Sequence, residues 1–272
     1  METDAVEEKA AVRSFWDKAS CGESLYLQGQ DKPDYERQAA TRYRLEPYIP
    51  AFAGFDRCGG QDVLEIGVGL GADHQRLVEG GAHVFGLDLT PRAIAQVRTR
   101  FRAFGLEPAL QVGDAERLAF GKDTFDMVYS WGVLHHTPDT PASIREVWRV
   151  LRTGGEARVM IYHRHSLVAY MLWLRYGLAR LRPFTRLSDI CAQYLESPGT
   201  KVYTVGEART LFSMFREVEI TTVLTHGDLL SSGAGQRHSG WVLAAARGLW
   251  PRRLIERFLP GHGLFMLVRA VK

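Results

Sequence analysis

Asp62-Val63-Leu64-Glu65-Ile66-Gly67-Val68-Gly69-Leu70-Gly71 is the stretch on which the fold turns. An apolar run of strand length breaks into three alternating glycines. A helical pattern then continues to about Glu79, where Gly80-Gly81 stop it. Glycines at a strand-to-helix junction let the backbone take positive φ and approach a ligand closely. The helix that follows offers free N–H groups. His83-Val84-Phe85-Gly86-Leu87-Asp88 reads as a second strand, and Asp88 at its end lies 21 residues after Gly67. A doubly wound fold places an acid there against the ribose hydroxyls of a nucleotide. The glycine spacing is GxGxG. A dinucleotide loop needs GxGxxG, and a phosphate loop needs the GK[ST] or basic residues that are missing here. The pattern therefore suits a ligand with a ribose and no pyrophosphate.

The same rhythm extends outward. Pro91 opens a helix that Ala93 to Phe104 continues; Ala109–Val112 and Phe125–Ser130 read as strands. Thr140 is expected to cap a helix with Pro141 as its first residue, Ile144, Val147, Trp148 and Leu151 on one face, and Gly154-Gly155 at its end. Ala157–Tyr162 reads as a fifth strand. Strands alternating with helices of this length imply βαβ units and a parallel sheet. Before this core, Ala10–Trp16 and Tyr35–Tyr48 are helical in spacing, with Gly22, Gly29 and Pro33 as breaks. After it, Thr204-Val205-Gly206-Glu207 is a capping-box sequence opening a helix to about Phe215. Val218–His226 and Leu264–Ala270 read as the sixth and last strands, Gly227–Gly240 as a loop, and Trp241–Phe258 as a basic helix bent or split by Pro251. The expected fold is α/β: a doubly wound, Rossmann-like, seven-stranded, mostly parallel sheet with an N-terminal helical cover and C-terminal insertions.

The chain has 272 residues, of which 46% are hydrophobic and 24% charged. This fits one enlarged α/β domain and argues against disordered, collagenous or coiled-coil classes. Cys21, Cys58 and Cys191 are too few and too scattered for a disulfide framework. The first twenty residues alternate charged and apolar groups, unlike a signal peptide, and no uncharged apolar run reaches the ~18 residues of a membrane span. A cytoplasmic protein is expected. The net charge of +3 is unevenly divided. Residues 1–164 carry 20 Lys and Arg against 24 Asp and Glu, whereas residues 165–272 carry 14 against 7. A basic second part favours an anionic or membrane-surface partner.

Residues 62–162 resemble the class I S-adenosylmethionine-dependent methyltransferases, in particular the small-molecule branch that includes the ubiquinone and menaquinone methylases. Five segments carry the resemblance in order. They are Val63–Gly71; Gly86-Leu87-Asp88-Leu89; Gly113-Asp114-Ala115-Glu116-Arg117-Leu118-Ala119-Phe120; Phe125–Ser130 followed by Val133-Leu134-His135-His136; and Arg149-Val150-Leu151-Arg152-Thr153-Gly154-Gly155. Thr153 stands where the family often has proline, in a turn that does not touch cofactor. The resemblance implies S-adenosyl-L-methionine as cofactor. Gly67, Gly69 and Gly71 would pack against its methionine part. Asp88 would accept both ribose hydroxyls, and Asp114 the adenine amino group. The Ala115 N–H would meet a ring nitrogen, Leu89 would cover the adenine face, and Ser130 and Trp131 would lie near the sulfonium and the methyl acceptor. Glu65 either structures the turn or meets the ligand. Residues 1–56 then form a helical cover, residues 57–164 the cofactor-binding core, and residues 165–272 the rest of the sheet with an acceptor-side lid, all within one domain.

Methyl transfer from a sulfonium needs orientation and a nucleophile in the right protonation state. His135 and His136 fall at the carboxyl edge of the sheet and are the candidate bases, with a structural or cofactor-contacting role as the alternative. His163 and His165 lack an identifiable third ligand, so no metal is expected. Cys21 is expected to be packed. Ser130-Trp131-Gly132-Val133 lacks the Asn/Asp-Pro-Pro-aromatic motif of amino-methylating relatives, and no basic stripe with stacking aromatics stands out, so no nucleic-acid partner is expected. Leu167–Leu174 is strongly apolar and is followed by Arg175, Arg180 and Arg182; Trp241–Phe258 has a similar character. Such stretches lie on anionic membranes, line apolar pockets, or only extend the core. The expected acceptor is a small, lipophilic molecule methylated on a hydroxyl or an aromatic carbon, with peripheral membrane contact. The alternatives are S-methylation of a thiol, sulfide or metalloid, and a non-catalytic sensor or scaffold that binds the cofactor.

Overall fold

The structure, a computed structural model, describes residues 2–232 and 247–272. Four helices precede the sheet: α1 (Glu2–Lys18), α2 (Glu23–Tyr26), α3 (Lys32–Leu45) and α4 (Ile49–Ala53). Pro33, expected to break the chain, instead sits in the first turn of α3, where its fixed φ suits a helix and its missing N–H costs nothing. Asp31 caps that turn, accepting from the Asp34 N–H at 2.8 Å.

The core then runs β1 (Asp62–Ile66), α5 (Ala72–Glu79), β2 (His83–Asp88), α6 (Pro91–Ala103), β3 (Ala109–Val112), β4 (Phe125–Trp131), α7 (Thr140–Val150) and β5 (Leu151–Tyr162). The chain continues as α8 (Leu167–Tyr176), α9 (Leu187–Tyr194), α10 (Val205–Leu211), β6 (Glu217–Val223), α11 (Arg252–Phe258) and β7 (Phe265–Val271). The sheet has seven strands in the order β3-β2-β1-β4-β5-β7-β6. Only β7 is antiparallel to its neighbours β5 and β6. In β1, Val63 to Ile66 are all buried, as a central parallel strand covered on both faces requires. Its side chains alternate between two cores: Leu64 and Ile66 pack with Val128, Ile144 and Val147, and Val63 packs with Leu77, Met127 and Tyr129.

Two local expectations, both about α7, are corrected. The cap of α7 is Asp139, whose carboxylate accepts from the Ala142 N–H at 2.8 Å; Thr140 is already helical and donates its hydroxyl to the Leu134 carbonyl at 3.1 Å. Helix α7 also ends at Val150, before Gly154-Gly155. β5 starts at once and bulges: Phe125 pairs with Leu151, but Met127 pairs with Glu156. Gly154, at φ 81°, lies in that bulge. Pro251 splits the expected basic helix: residues 247–249 are helical, the chain breaks at 250–251, and α11 begins at Arg252. Of the loop expected at 227–240 and the helix expected at 241–258, residues 233–246 lie outside the described residues. The capping box at Thr204–Glu207 is formed as expected, although α10 ends at Leu211. Among the described residues, no helix is long and apolar enough to cross a membrane.

Candidate active site

The carboxyl ends of β1, β2 and β4 open on a cavity lined by the glycine turn and roofed by α1 and α3. The turn needs glycine for two separate reasons. At Gly67, φ is 85° and a Cβ would meet Val133 Cγ2 at 2.1 Å; at Gly69, φ is 49° and the space beside it is open. The first glycine therefore lets two segments touch, and the second presents bare backbone to the cavity. Asp88 follows at the end of β2. Its Oδ1 accepts from the Thr90 N–H and hydroxyl, both at 2.9 Å. Its Oδ2 receives a long 3.4 Å contact from the Gly69 N–H, and the Val68 N–H also faces the carboxylate; such long contacts leave acceptor capacity on the cavity side. Burial raises its pKa against these hydrogen bonds.

Leu89, Asp114 and Ala115 line the same cavity. Asp114 Oδ1 accepts from the Glu116 N–H at 2.9 Å, which shapes the turn. Its Oδ2 is held by Lys9, reaching over from α1 at 2.5 Å; the same ammonium also contacts Glu116. The helical cover thus closes directly onto the expected adenine end. Sequence reading could not find Lys9, because a lone lysine on an amphipathic helix reads as a solvated one.

Beneath the turn lies a set of buried charges that sequence reading missed entirely. Asp73, in the first turn of α5, accepts from Arg42 Nε at 3.0 Å and Nη2 at 2.6 Å. It also accepts from the Tyr43 hydroxyl at 3.0 Å and the Tyr129 hydroxyl at 2.8 Å. Burial opposes its charge, but Arg42 and the two hydroxyls prevail and hold its pKa below the ordinary value. Arg100 is almost wholly buried and spans Gln75 Oε1 at 2.6 Å and Gln38 Oε1 at 2.7 Å, with the Leu70 carbonyl at 3.5 Å. These two arginines fasten α3 to the glycine turn. Glu65 does not lie free beside the turn. It is paired with His74 Nδ1 at 2.8 Å, and burial pushes its carboxyl up to about 7.

The far end of the cavity is walled by Trp16, Trp131, Met160, Tyr162 and Phe265, with Cys21, Glu46, His136 and Glu196 among them. Trp131 stacks on Tyr48 at 6.0 Å and meets Phe265 edge-on. Burial raises the Glu46 carboxyl to about 7, although Arg42 lies 3.3 Å away. His136 rests its Nδ1 against Ser197 Oγ at 2.8 Å, and its Nε2 lies 3.4 Å from Glu196 Oε2. That carboxylate also accepts the Tyr162 hydroxyl at 2.7 Å.

Of the expected site residues, Glu65, Gly67, Gly69, Gly71, Asp88, Leu89, Asp114, Ala115, Trp131 and His136 line this one cavity; Ser130 and His135 do not. Ser130 alternates with Tyr129 and Trp131 along β4, so it faces the other side of the sheet and donates to the Ile66 carbonyl at 3.0 Å. His135 lies behind His136, fully buried against the Tyr162 ring at 4.0 Å, and burial drives its pKa well below the ordinary value. Cys21, expected to be packed, is an exposed residue whose thiol lines the cavity 4.0 Å from Glu196 Oε1, where desolvation raises its pKa to about 12. Glu196 was not foreseen: it sits in a loop just past α9, without a motif around it. His163 and His165 do not converge on a third ligand; among the described residues the grouping suited to a cation is His135, His136 and Glu196.

A glycine turn with a bare backbone, an acid with spare acceptor capacity at the end of β2 and an acid–amide pair after β3 define a nucleoside-binding α/β domain. Residues 64–159 match the family model described as a methyltransferase domain. The chain is 31% identical over 152 residues to the demethylmenaquinone methyltransferase of Tropheryma whipplei, covering 54% of this chain and 62% of that protein. It is 27% identical over 196 residues to phosphoethanolamine N-methyltransferase 1 of Triticum aestivum, covering 64% of this chain and 39% of that protein. The fold is shared with an S-adenosylmethionine-dependent methyltransferase from Mesorhizobium loti, with a TM-score of 0.52, 21% identity and coverage of 83% of this chain and 97% of that one. Residues 64–159 are thus similar to methyltransferase domains, a likeness that implies S-adenosylmethionine as cofactor. The residues fit it: the open face at Gly69 leaves room beside the backbone, and Asp88 Oδ2 has acceptor capacity to spare.

Proposed function

We propose that the protein transfers a methyl group from S-adenosylmethionine to a small molecule held against the aromatic wall of the cavity. The observation that carries this reading is continuity. The glycine turn, Asp88 and Asp114 share one cavity with Trp16, Trp131, Tyr162 and Phe265. Asp88 would hold the ribose, Asp114 and the Ala115 N–H the adenine, and Leu89 its face. When bound, the cofactor supplies an electrophilic methyl group; the chain supplies orientation and exclusion of water. Lys9, Arg42 and Arg100 do the latter by keeping α1 and α3 closed. His136 and Glu196, which line the cavity, would take or polarise the acceptor's proton, whereas His135 does not line it. The aromatic lining supports an acceptor with an apolar body. A screen of hydroxyl, thiol and aromatic compounds, read as S-adenosylhomocysteine release, tests the proposal. Turnover with one acceptor class supports it; cofactor binding without turnover across all classes would favour the sensor reading.

The acceptor-side insertion supports peripheral membrane contact. Leu181 and Phe184 are 91% and 97% exposed beside Arg180 and Arg182, and Leu254 and Phe258 are exposed on α11 beside Arg253 and Arg257. Exposed apolar groups among arginines suit an anionic bilayer surface. Flotation with phosphatidylserine vesicles should carry the protein upward. Leu181→Ser with Phe184→Ser should reduce flotation several-fold without changing cofactor affinity, and equal flotation of both proteins would rule this face out.

A further inference from the structure

We propose that His135, His136 and Glu196 form a binding site for a divalent transition-metal ion of the zinc type, set in the wall of the acceptor end of the cavity. The inference rests on the methyl-transfer reading for its purpose but not for its geometry. One ligand atom from each of the three residues lies within 4.8 Å of the others. Both ring nitrogens of His135 and Nε2 of His136 are buried and find no hydrogen-bond partner among the described residues. A buried polar atom without a partner costs about 1–3 kcal/mol, and here one such nitrogen from each histidine lies close to one carboxylate.

The surroundings organise the group as a ligand set. Thr200 commits its hydroxyl proton to the Ser197 carbonyl at 2.6 Å. Its oxygen, 3.2 Å from His136 Nδ1, and that of Ser197, 2.8 Å away, are therefore able to accept the Nδ1–H. That tautomer turns the Nε2 lone pair toward Glu196 Oε2, 3.4 Å away. Two electron-rich atoms at that spacing are an arrangement that a cation bridges. Ser197 on one ligand and the Tyr162 hydroxyl on the other are the outer partners that fix ring tautomer and carboxylate orientation in metal sites. Two imidazoles and one carboxylate with an open position suit zinc, and also iron(II) and cobalt(II).

His136 and Glu196 line the cavity, so the open position faces the acceptor. An acceptor hydroxyl or thiol that joins the cation there loses its proton to solvent. It then attacks the methyl carbon as an anion; the new carbon–oxygen or carbon–sulfur bond forms as the carbon–sulfonium bond breaks, and that electron pair stays on the departing sulfide sulfur. Metal coordination thus supplies the activation for which a free histidine base had been expected.

The test uses the full chain stripped with chelator and then titrated with zinc chloride by calorimetry and with cobalt chloride by visible absorption. One equivalent should bind, and cobalt should give the d–d bands of a nitrogen- and oxygen-ligated site. Glu196→Gln and His136→Gln should each weaken zinc binding by more than about 100-fold, beyond the loss seen when only outer partners are removed. His83→Gln, on an exposed histidine remote from the cavity, should leave zinc binding unchanged. S-adenosylmethionine binding, measured on every variant, reports the fold and the cofactor site separately. Absence of stoichiometric binding by the wild type overturns the proposal, as does unchanged zinc affinity in the Glu196 and His136 variants. If those variants also lose the cofactor, wild-type stoichiometry and the cobalt spectrum decide. If no S-adenosylmethionine binds at all, the methyl-transfer reading fails and the metal result stands on its own.

Discussion

Replacing Asp73 with alanine should be one of the most damaging single substitutions in this protein. The carboxylate is buried and holds Arg42 through two bonds, at 3.0 and 2.6 Å. It also satisfies the hydroxyls of Tyr43 and Tyr129. Removing one partner of a buried pair costs about 3–5 kcal/mol, because the other charge is left in place. Glu46, 3.3 Å from Arg42, offsets part of that, while two stranded hydroxyls add roughly 1 kcal/mol each. The expected loss is therefore about 4 kcal/mol, or a Tm lowered by roughly 8–16 °C for a chain of this size. Urea unfolding and thermal melts measure it. Hydrogen exchange should show the amides of α3 opening while those of α7 stay protected, since Asp73 joins α3 to the glycine turn. Arg42→Met combined with Asp73→Ala should cost at least about 1 kcal/mol less than the sum of the single changes, because no lone charge remains. A loss under about 1 kcal/mol for Asp73→Ala, or strict additivity in the double variant, would refute this account.

Two other substitutions probe the turn itself. The Glu65 carboxyl is raised from 4.5 to about 7 by burial. A raised acid stabilises fully below its unfolded pKa and loses that contribution as pH rises through the folded value. Wild type should therefore lose up to about 3 kcal/mol relative to Glu65→Gln between pH 4.5 and 8; parallel stability curves for the two proteins would show that Glu65 is ionised throughout. Gly67→Ala should abolish S-adenosylmethionine binding, since its Cβ would lie 2.1 Å from Val133 Cγ2 at a φ of 85°. Adding Val133→Ala should recover stability but leave about 1–2 kcal/mol of backbone strain; full recovery would show that only the clash mattered.

What was legible in the sequence is what short-range chemistry dictates. Strands β1, β2 and β3 were read to the residue: β1 is a buried apolar run ended by Gly67, while β2 and the exposed edge strand β3 are bounded by glycine and proline, Gly81 before β2 and Pro108 and Gly113 around β3. The Thr204–Glu207 box announced its helix through its own side chains. The cap of α7 slipped by one residue because Asp139 and Thr140 both cap well, and tertiary packing used Thr140 for Leu134 instead. The burial of Asp73 and Arg100 and the half-burial of Arg42 were invisible, since a charged residue on a helix reads as solvated until a partner tens of residues away is known. Glu196 fell outside every pattern for the same reason: its partners Tyr162, His136 and Cys21 come from β5, the 3-10 turn after β4 and the N-terminal cover. The motif-bearing end of the site was therefore readable, and the acceptor end, assembled from insertions, was not.

The central claim is that the turn at Gly67–Gly71 and Asp88 hold S-adenosylmethionine. Calorimetric titration of wild type and Asp88→Asn tests it most directly. Asparagine keeps an oxygen for Thr90 while turning the cavity-side acceptor into a donor. The wild type should bind one equivalent, and the variant should bind at least about 100-fold more weakly, a loss of about 2.7 kcal/mol. A wild type that does not bind S-adenosylmethionine, or a variant that binds it undiminished, would contradict the account.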